Sequence, residues 1–114
     1  TGKYSDGIPQ DARANLPGYE WLRDKFTSDE GRARIAKVRD LAAVATRLEM
    51  PIHHLALAWC LTNPRVSTVI LGASRLSQLT DNLAALDRVA DLTPDVLAEI
   101  DGILGNRPPA PQRF

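Results

Sequence analysis

The stretch Val69-Ile-Leu-Gly-Ala-Ser-Arg-Leu-Ser-Gln-Leu-Thr-Asp-Asn-Leu-Ala-Ala-Leu86 reads as a strand that passes through glycine into a helix. The run Ser67 to Leu71, STVIL, is mostly β-branched and aliphatic and lies between Pro64 and Gly72. Its length and composition predict a strand buried on both faces, as in a parallel sheet. A helix is predicted from about Arg75 to Leu86, with Leu76, Leu79, Leu83 and Leu86 on one face. The backbone groups of a buried strand require partners, yet no second strand stands out in the 114 residues. Two possibilities follow: an all-helical protein in which STVIL is not a strand, or a sheet whose other strands lie outside this chain.

The strand–helix junction, Gly72-Ala73-Ser74-Arg75, has the chemistry of an anion site. A helix N-terminus presents unpaired N–H groups and the positive end of the helix dipole. Ser74 offers a hydroxyl, and the Arg75 guanidinium can grip a phosphate through two parallel hydrogen bonds. The plainer alternative is a glycine turn with Ser74 as an ordinary cap. Gln78, Asp81 and Asn82 follow at about one-turn intervals on the same helix.

Working outward, most of the remaining segments read as helices. A short helix is expected over Tyr19 to Phe26, and Thr27-Ser28-Asp29-Glu30 fits a capping box with Thr27 as N-cap and Glu30 at N3. Ile35, Val38, Leu41, Ala42, Ala45 and Leu48 then mark the single apolar stripe of an amphipathic helix. The opposite face carries Arg32, Arg34, Lys37, Arg39, Asp40 and Arg47 and reads as solvated. Pro51 suits the first turn of a further helix, apolar nearly all round to Leu61 and stopped by Asn63-Pro64. Thr93-Pro94 opens the last helix as cap and N1, and Gly105 closes it. Residues 1–18 read as an irregular loop, and the tail from Asn106 to Phe114 as extended over a surface.

Composition narrows the function classes. Fourteen basic residues are matched by fourteen acidic ones, so there is no electrostatic footprint for nucleic acid. No apolar run is long enough to span a membrane, and the N-terminus shows no signal-like apolar segment. The single cysteine, Cys60, excludes an internal disulfide and suits a reducing compartment, with cytoplasm as the expectation. His53 and His54 are adjacent on a helix, their side chains diverging by about 100°, and no cysteine or carboxylate at i+4 completes a metal site. They read as helix-surface histidines, Cys60 as a core filler, and Trp21 and Trp59 as packing residues. No metal site is expected.

The combination of motifs carries a family likeness. Residues 55–86, LALAWCLTNPRVSTVILGASRLSQLTDNLAAL, resemble the C-terminal part of the aldo-keto reductases. TGKYSDGIPQDARA, GYEWLRDKF and EIDGILGNRPP are similar to the branch that contains the potassium-channel β subunits and their bacterial relatives. The resemblance implies an α/β fold: the chain is the C-terminal segment of a (β/α)8 TIM barrel, with 67–71 as its eighth strand and 75–86 as its eighth helix. Such barrels run to roughly 250 residues, so this chain corresponds to about the last third, and residues 1–18 to a loop that covers the cofactor.

The cofactor implied by the resemblance is NADPH. Gly72, Ala73, Ser74, Arg75 and Gln78 correspond to the loop around the adenosine 2′-phosphate, and Asp81 and Asn82 to the pair at the adenine. Asp81 replaces the more usual glutamate. Lys3 and Arg13 match basic residues of the phosphate-covering loop, whereas Asp11 stands where this branch can have a tyrosine. Gln78 occupies a position that is arginine in many other branches, so Arg75 supplies the charge. The family's catalytic Tyr, Lys, Asp and His have no match here. The chain is therefore expected to be inactive by itself, with none of those roles passing to Tyr4, Tyr19, Lys3 or the histidine pair. The parent protein is expected to reduce aldehydes or ketones to alcohols. A regulatory subunit with a channel partner, a homo-oligomer, and a small helical domain without cofactor are the alternatives.

Overall fold

The computed structural model describes residues 2–109, and the last part of the predicted extended tail, 110–114, lies outside them. Five α-helices follow one another: α1 (Glu20–Thr27), α2 (Asp29–Arg47), α3 (Ile52–Leu61), α4 (Leu76–Leu83) and α5 (Pro94–Leu104). Short 3-10 segments cover Arg13–Asn15 and Ala84–Asp91, the second continuing directly from α4.

The core forms where the amphipathic stripes meet. Val44 and Ala45 of α2, Leu55 and Ala58 of α3, and Val96 and Ile100 of α5 are buried together with Met50 and Leu92. Leu41, Leu48, Ile52 and Leu97 pack at its edge. Long-range polar contacts tie the same elements. Arg47 pairs with Glu99 across α2 and α5, and the Arg88 guanidinium donates to the Leu48 carbonyl at 2.6 Å. Lys37 donates to the Leu104 carbonyl at the end of α5.

The helix boundaries follow from local chemistry. Thr93 caps α5 by accepting from the Val96 N–H, Pro94 takes the first helical position, and Gly105 ends it with φ 59°. At the start of α2 the cap lies one residue later than the sequence predicts. Ser28, not Thr27, accepts from the Gly31 N–H, while Thr27 ends α1. The corner between α1 and α2 is tight: a Cβ on Gly31 would stand 2.0 Å from the Lys25 carbonyl oxygen. The end of α2 turns through Glu49, which adopts φ 53°. Met50 N–H bonds the Ala45 carbonyl and Glu49 N–H the Thr46 carbonyl, both at 3.0 Å. That pair of bonds is a Schellman motif with glutamate in the position glycine usually holds.

The predicted strand at 67–71 is corrected. Among the described residues there is no strand, and Ser67 through Ala73 make no backbone–backbone hydrogen bond. The segment is irregular and runs along the surface, with Ile70 92% exposed. The physical reason is the absence of a lateral partner: β structure is a property of paired segments, and no other described segment offers a strand edge. The apolar face of α4 is likewise open, with Leu76 78% and Leu83 53% exposed. No barrel is formed by the described residues. Among the described residues, no helix is long and apolar enough to cross a membrane.

Candidate functional site

Two groups of polar side chains gather around α4. The first lies at its N-terminus. Gln78, in the first turn, turns back so that its Oε1 accepts from both the N–H (2.9 Å) and the Oγ (3.1 Å) of Ser74. This clasp resembles a capping box displaced by one residue. It fixes the approach to the helix and places Arg75, with extended backbone, at the N-cap position without a side-chain cap. Ser74 itself lies before the helix and does not cap it, contrary to the plainer sequence reading. Among the described residues the Arg75 guanidinium makes no hydrogen bond or salt bridge, and the N–H groups of Leu76 and Ser77 have no acceptor. Ala73, Ser74, Arg75, Leu76 and Leu79 line an open depression at this end. A free guanidinium beside unpaired helix N–H groups fits an anionic group such as a phosphate.

Gly72 precedes the clasp. Its φ lies outside the left-handed region, and a Cβ built on it meets nothing within 4 Å. Nothing within the chain demands glycine there, and the turn role that the sequence suggests for it is not used.

The second group lies where the first turn of α3 meets α4. His53 Nε2 is 2.6 Å from Asp81 Oδ2, and His54 Nε2 is 3.0 Å from Asp81 Oδ1. The two rings stand edge to face, with centroids 4.5 Å apart. His54 is buried, His53 partly so, and Asp81 is half-exposed. The hydrogen bond from His53 foremost, with a lesser one from His54, holds the Asp81 carboxyl below its ordinary value of 3.8 against the opposing effect of burial. The reading of both as helix-surface histidines is thereby corrected for His54, which is buried, and the carboxylate that no i+4 position supplies comes from Asp81. Their side chains diverge, but a carboxylate has two oxygens and answers both. The partner lies 27 and 28 residues away on another helix, so the i+4 rule could not find it.

The remaining predicted residues are scattered. Asn82 lines a groove together with Leu57, Leu61 and Val69. Arg13 sits on the first 3-10 segment, and the Lys3 ammonium lies 5.3 Å above the Tyr4 ring. Neither is joined to the α4 N-terminus by a hydrogen bond or salt bridge among the described residues. Thus Ser74, Arg75 and Gln78 form a unit, Ala73 lines it, and Gly72 adjoins it.

Compared with known protein families, residues 3–104 match the family model described as the aldo/keto reductase family.

Proposed function

The chain belongs to the aldo/keto reductase family, whose members are oxidoreductases acting on carbonyl substrates, and we propose that it forms the NADPH-binding C-terminal segment of such an enzyme. The observation that carries the reading is the Ser74–Gln78 clasp, which leaves the Arg75 guanidinium free at the N-terminus of α4. Arg75, with the N–H groups of Leu76 and Ser77, would hold the adenosine 2′-phosphate. Ser74 and Gln78 position them, and Gly72 leaves room for close approach. The dinucleotide, when bound, supplies the hydride for carbonyl reduction. Proton donation and substrate binding are assigned to residues outside this segment. Asp81 and Asn82 complete the reading at the adenine, and Lys3 and Arg13 over the phosphates, in a barrel that brings them together. The compartment is the cytoplasm, in keeping with the lone thiol of Cys60.

A second reading has one observation in its favour. A small helical domain without cofactor expects Ser67 to Leu71 to be unpaired, as it is here. Against it stands the exposure of Ile70, Leu76 and Leu83, a costly arrangement for a finished domain.

Nucleotide titration separates the two. Arg75→Ala is expected to weaken NADPH about tenfold or more, the loss of charge-assisted hydrogen bonds worth roughly 1.5–3 kcal/mol. NADH, which lacks the 2′-phosphate, should be nearly unaffected. Calorimetric titration of both cofactors against the parent protein and the variant reads the difference. Equal losses for the two, or an unchanged NADPH affinity, remove Arg75 from the phosphate site, and no measurable binding of either nucleotide favours the cofactor-free domain.

A further inference from the structure

We propose that His53, His54 and Asp81 form a binding site for a divalent transition-metal ion of the zinc class. Their ligand atoms, two imidazole nitrogens and a carboxylate oxygen, all lie within 4.8 Å of one another. They come from two different elements, the first turn of α3 and the middle of α4, so the ion bridges helices rather than decorating one. Two imidazoles with one carboxylate is a donor set suited to zinc, cobalt, nickel or copper, and ill suited to the hard ions magnesium and calcium.

The geometry accepts the ion with little movement. Zinc takes nitrogen at about 2.0–2.1 Å and carboxylate oxygen at about 2.0–2.2 Å, so tetrahedral ligand atoms stand roughly 3.4 Å apart. The present Nε2–Oδ separations are 2.6 and 3.0 Å. Opening these by less than about 1 Å, and bringing the three ligand atoms, now all within 4.8 Å of one another, to that common spacing, seats the ion where direct hydrogen bonds now lie. Asp81 can yield that distance, since α4 has no buried residue and the Asp81 side chain is 51% exposed. The exposed side of the site leaves the fourth position to water, as in sites that keep an open coordination position.

The proposal does not depend on cofactor binding. Because metal and adenine would compete for Asp81, its test contains no nucleotide. The untagged 114-residue chain is dialysed against zinc, and against magnesium in parallel, with bound metal measured per chain. One zinc per chain and no retained magnesium is expected. Asp81→Asn and His53→Gln each weaken zinc at least about tenfold, the effect seen even for residues that merely orient ligands. Both positions are partly exposed, so the variants should keep the helical circular dichroism of the parent even where His54→Gln does not. Cys60→Ser leaves zinc binding unchanged. The proposal is overturned by a parent chain that retains no zinc. It is equally overturned if the Asp81 and His53 variants bind as the parent does, or if zinc is lost with Cys60.

Discussion

The hydroxyl of Ser28 decides where α2 begins. It accepts the Gly31 N–H at 3.1 Å, whereas the Thr27 hydroxyl bonds back to the Arg23 carbonyl at 3.2 Å within α1. Ser28→Ala therefore exposes an orphan donor at a helix start and is expected to cost about 1 kcal/mol. Thr27→Ala removes only a local back-bond and should fall within about 0.5 kcal/mol of the parent. Urea unfolding of the two variants ranks them, and the reverse order would return the cap to Thr27. The sequence leaves this boundary ambiguous by one residue because two neighbouring side chains both carry hydroxyls. It leaves no ambiguity at Thr93-Pro94, where proline admits a single register. The histidine pair was beyond reach for a different reason. Asp81 meets both rings only through the packing of α4 on α3, and nothing in local spacing encodes that packing.

Among the elements, the helices are legible in the sequence and the absence of a strand at 67–71 is not, and the asymmetry is physical. A helix satisfies its hydrogen bonds within itself, so the stripes of α2 and α5 predict both their existence and their buried faces. STVIL carries strand composition, but composition cannot supply the neighbour that makes a strand. The consequence is measurable at Ile70, an aliphatic residue that sequence alone puts in a core. With 92% of its surface exposed, Ile70→Asp is expected to change the stability of this chain by no more than about 0.5 kcal/mol. Leu55→Ala, a truncation in the core at 3% exposure, should cost about 2–5 kcal/mol. Comparable losses at both positions would mean that the 67–73 segment is packed in solution. At the functional end, residue type and spacing point to Ser74 and Arg75 as an expected anion site, and the family resemblance implies Gln78. Their connection is not legible in the sequence, since the side chain of Gln78 reaches back past the helix start to a residue outside it.

On the scale of the whole molecule, the chain carries more surface than its mass calls for. Its accessible area is 8806 Å² for 12.5 kDa, against about 6,200 Å² for a compact monomer of that mass. The radius of gyration is 15.9 Å, against about 13 Å for a compact chain of this length. Large apolar side chains lie open on one stretch, with Ile70, Leu71, Leu76, Leu79, Leu83 and Leu86 all exposed. An aldo/keto reductase barrel would cover that stretch with its neighbouring strands and helices, and this is why we place the nucleotide site in a larger assembly. The urea m-value reports the same shortfall, because it scales with the surface exposed on unfolding. For this chain it is expected at about four-fifths of the value for a compact protein of equal length. An m-value equal to that of the compact protein would mean that the surface between Val66 and Leu86 is already buried in solution. The barrel would then not be needed to explain its apolar face. A reduced m-value that rises when the remaining strands and helices of a barrel are present on the same chain would show that face to be an internal surface of that barrel.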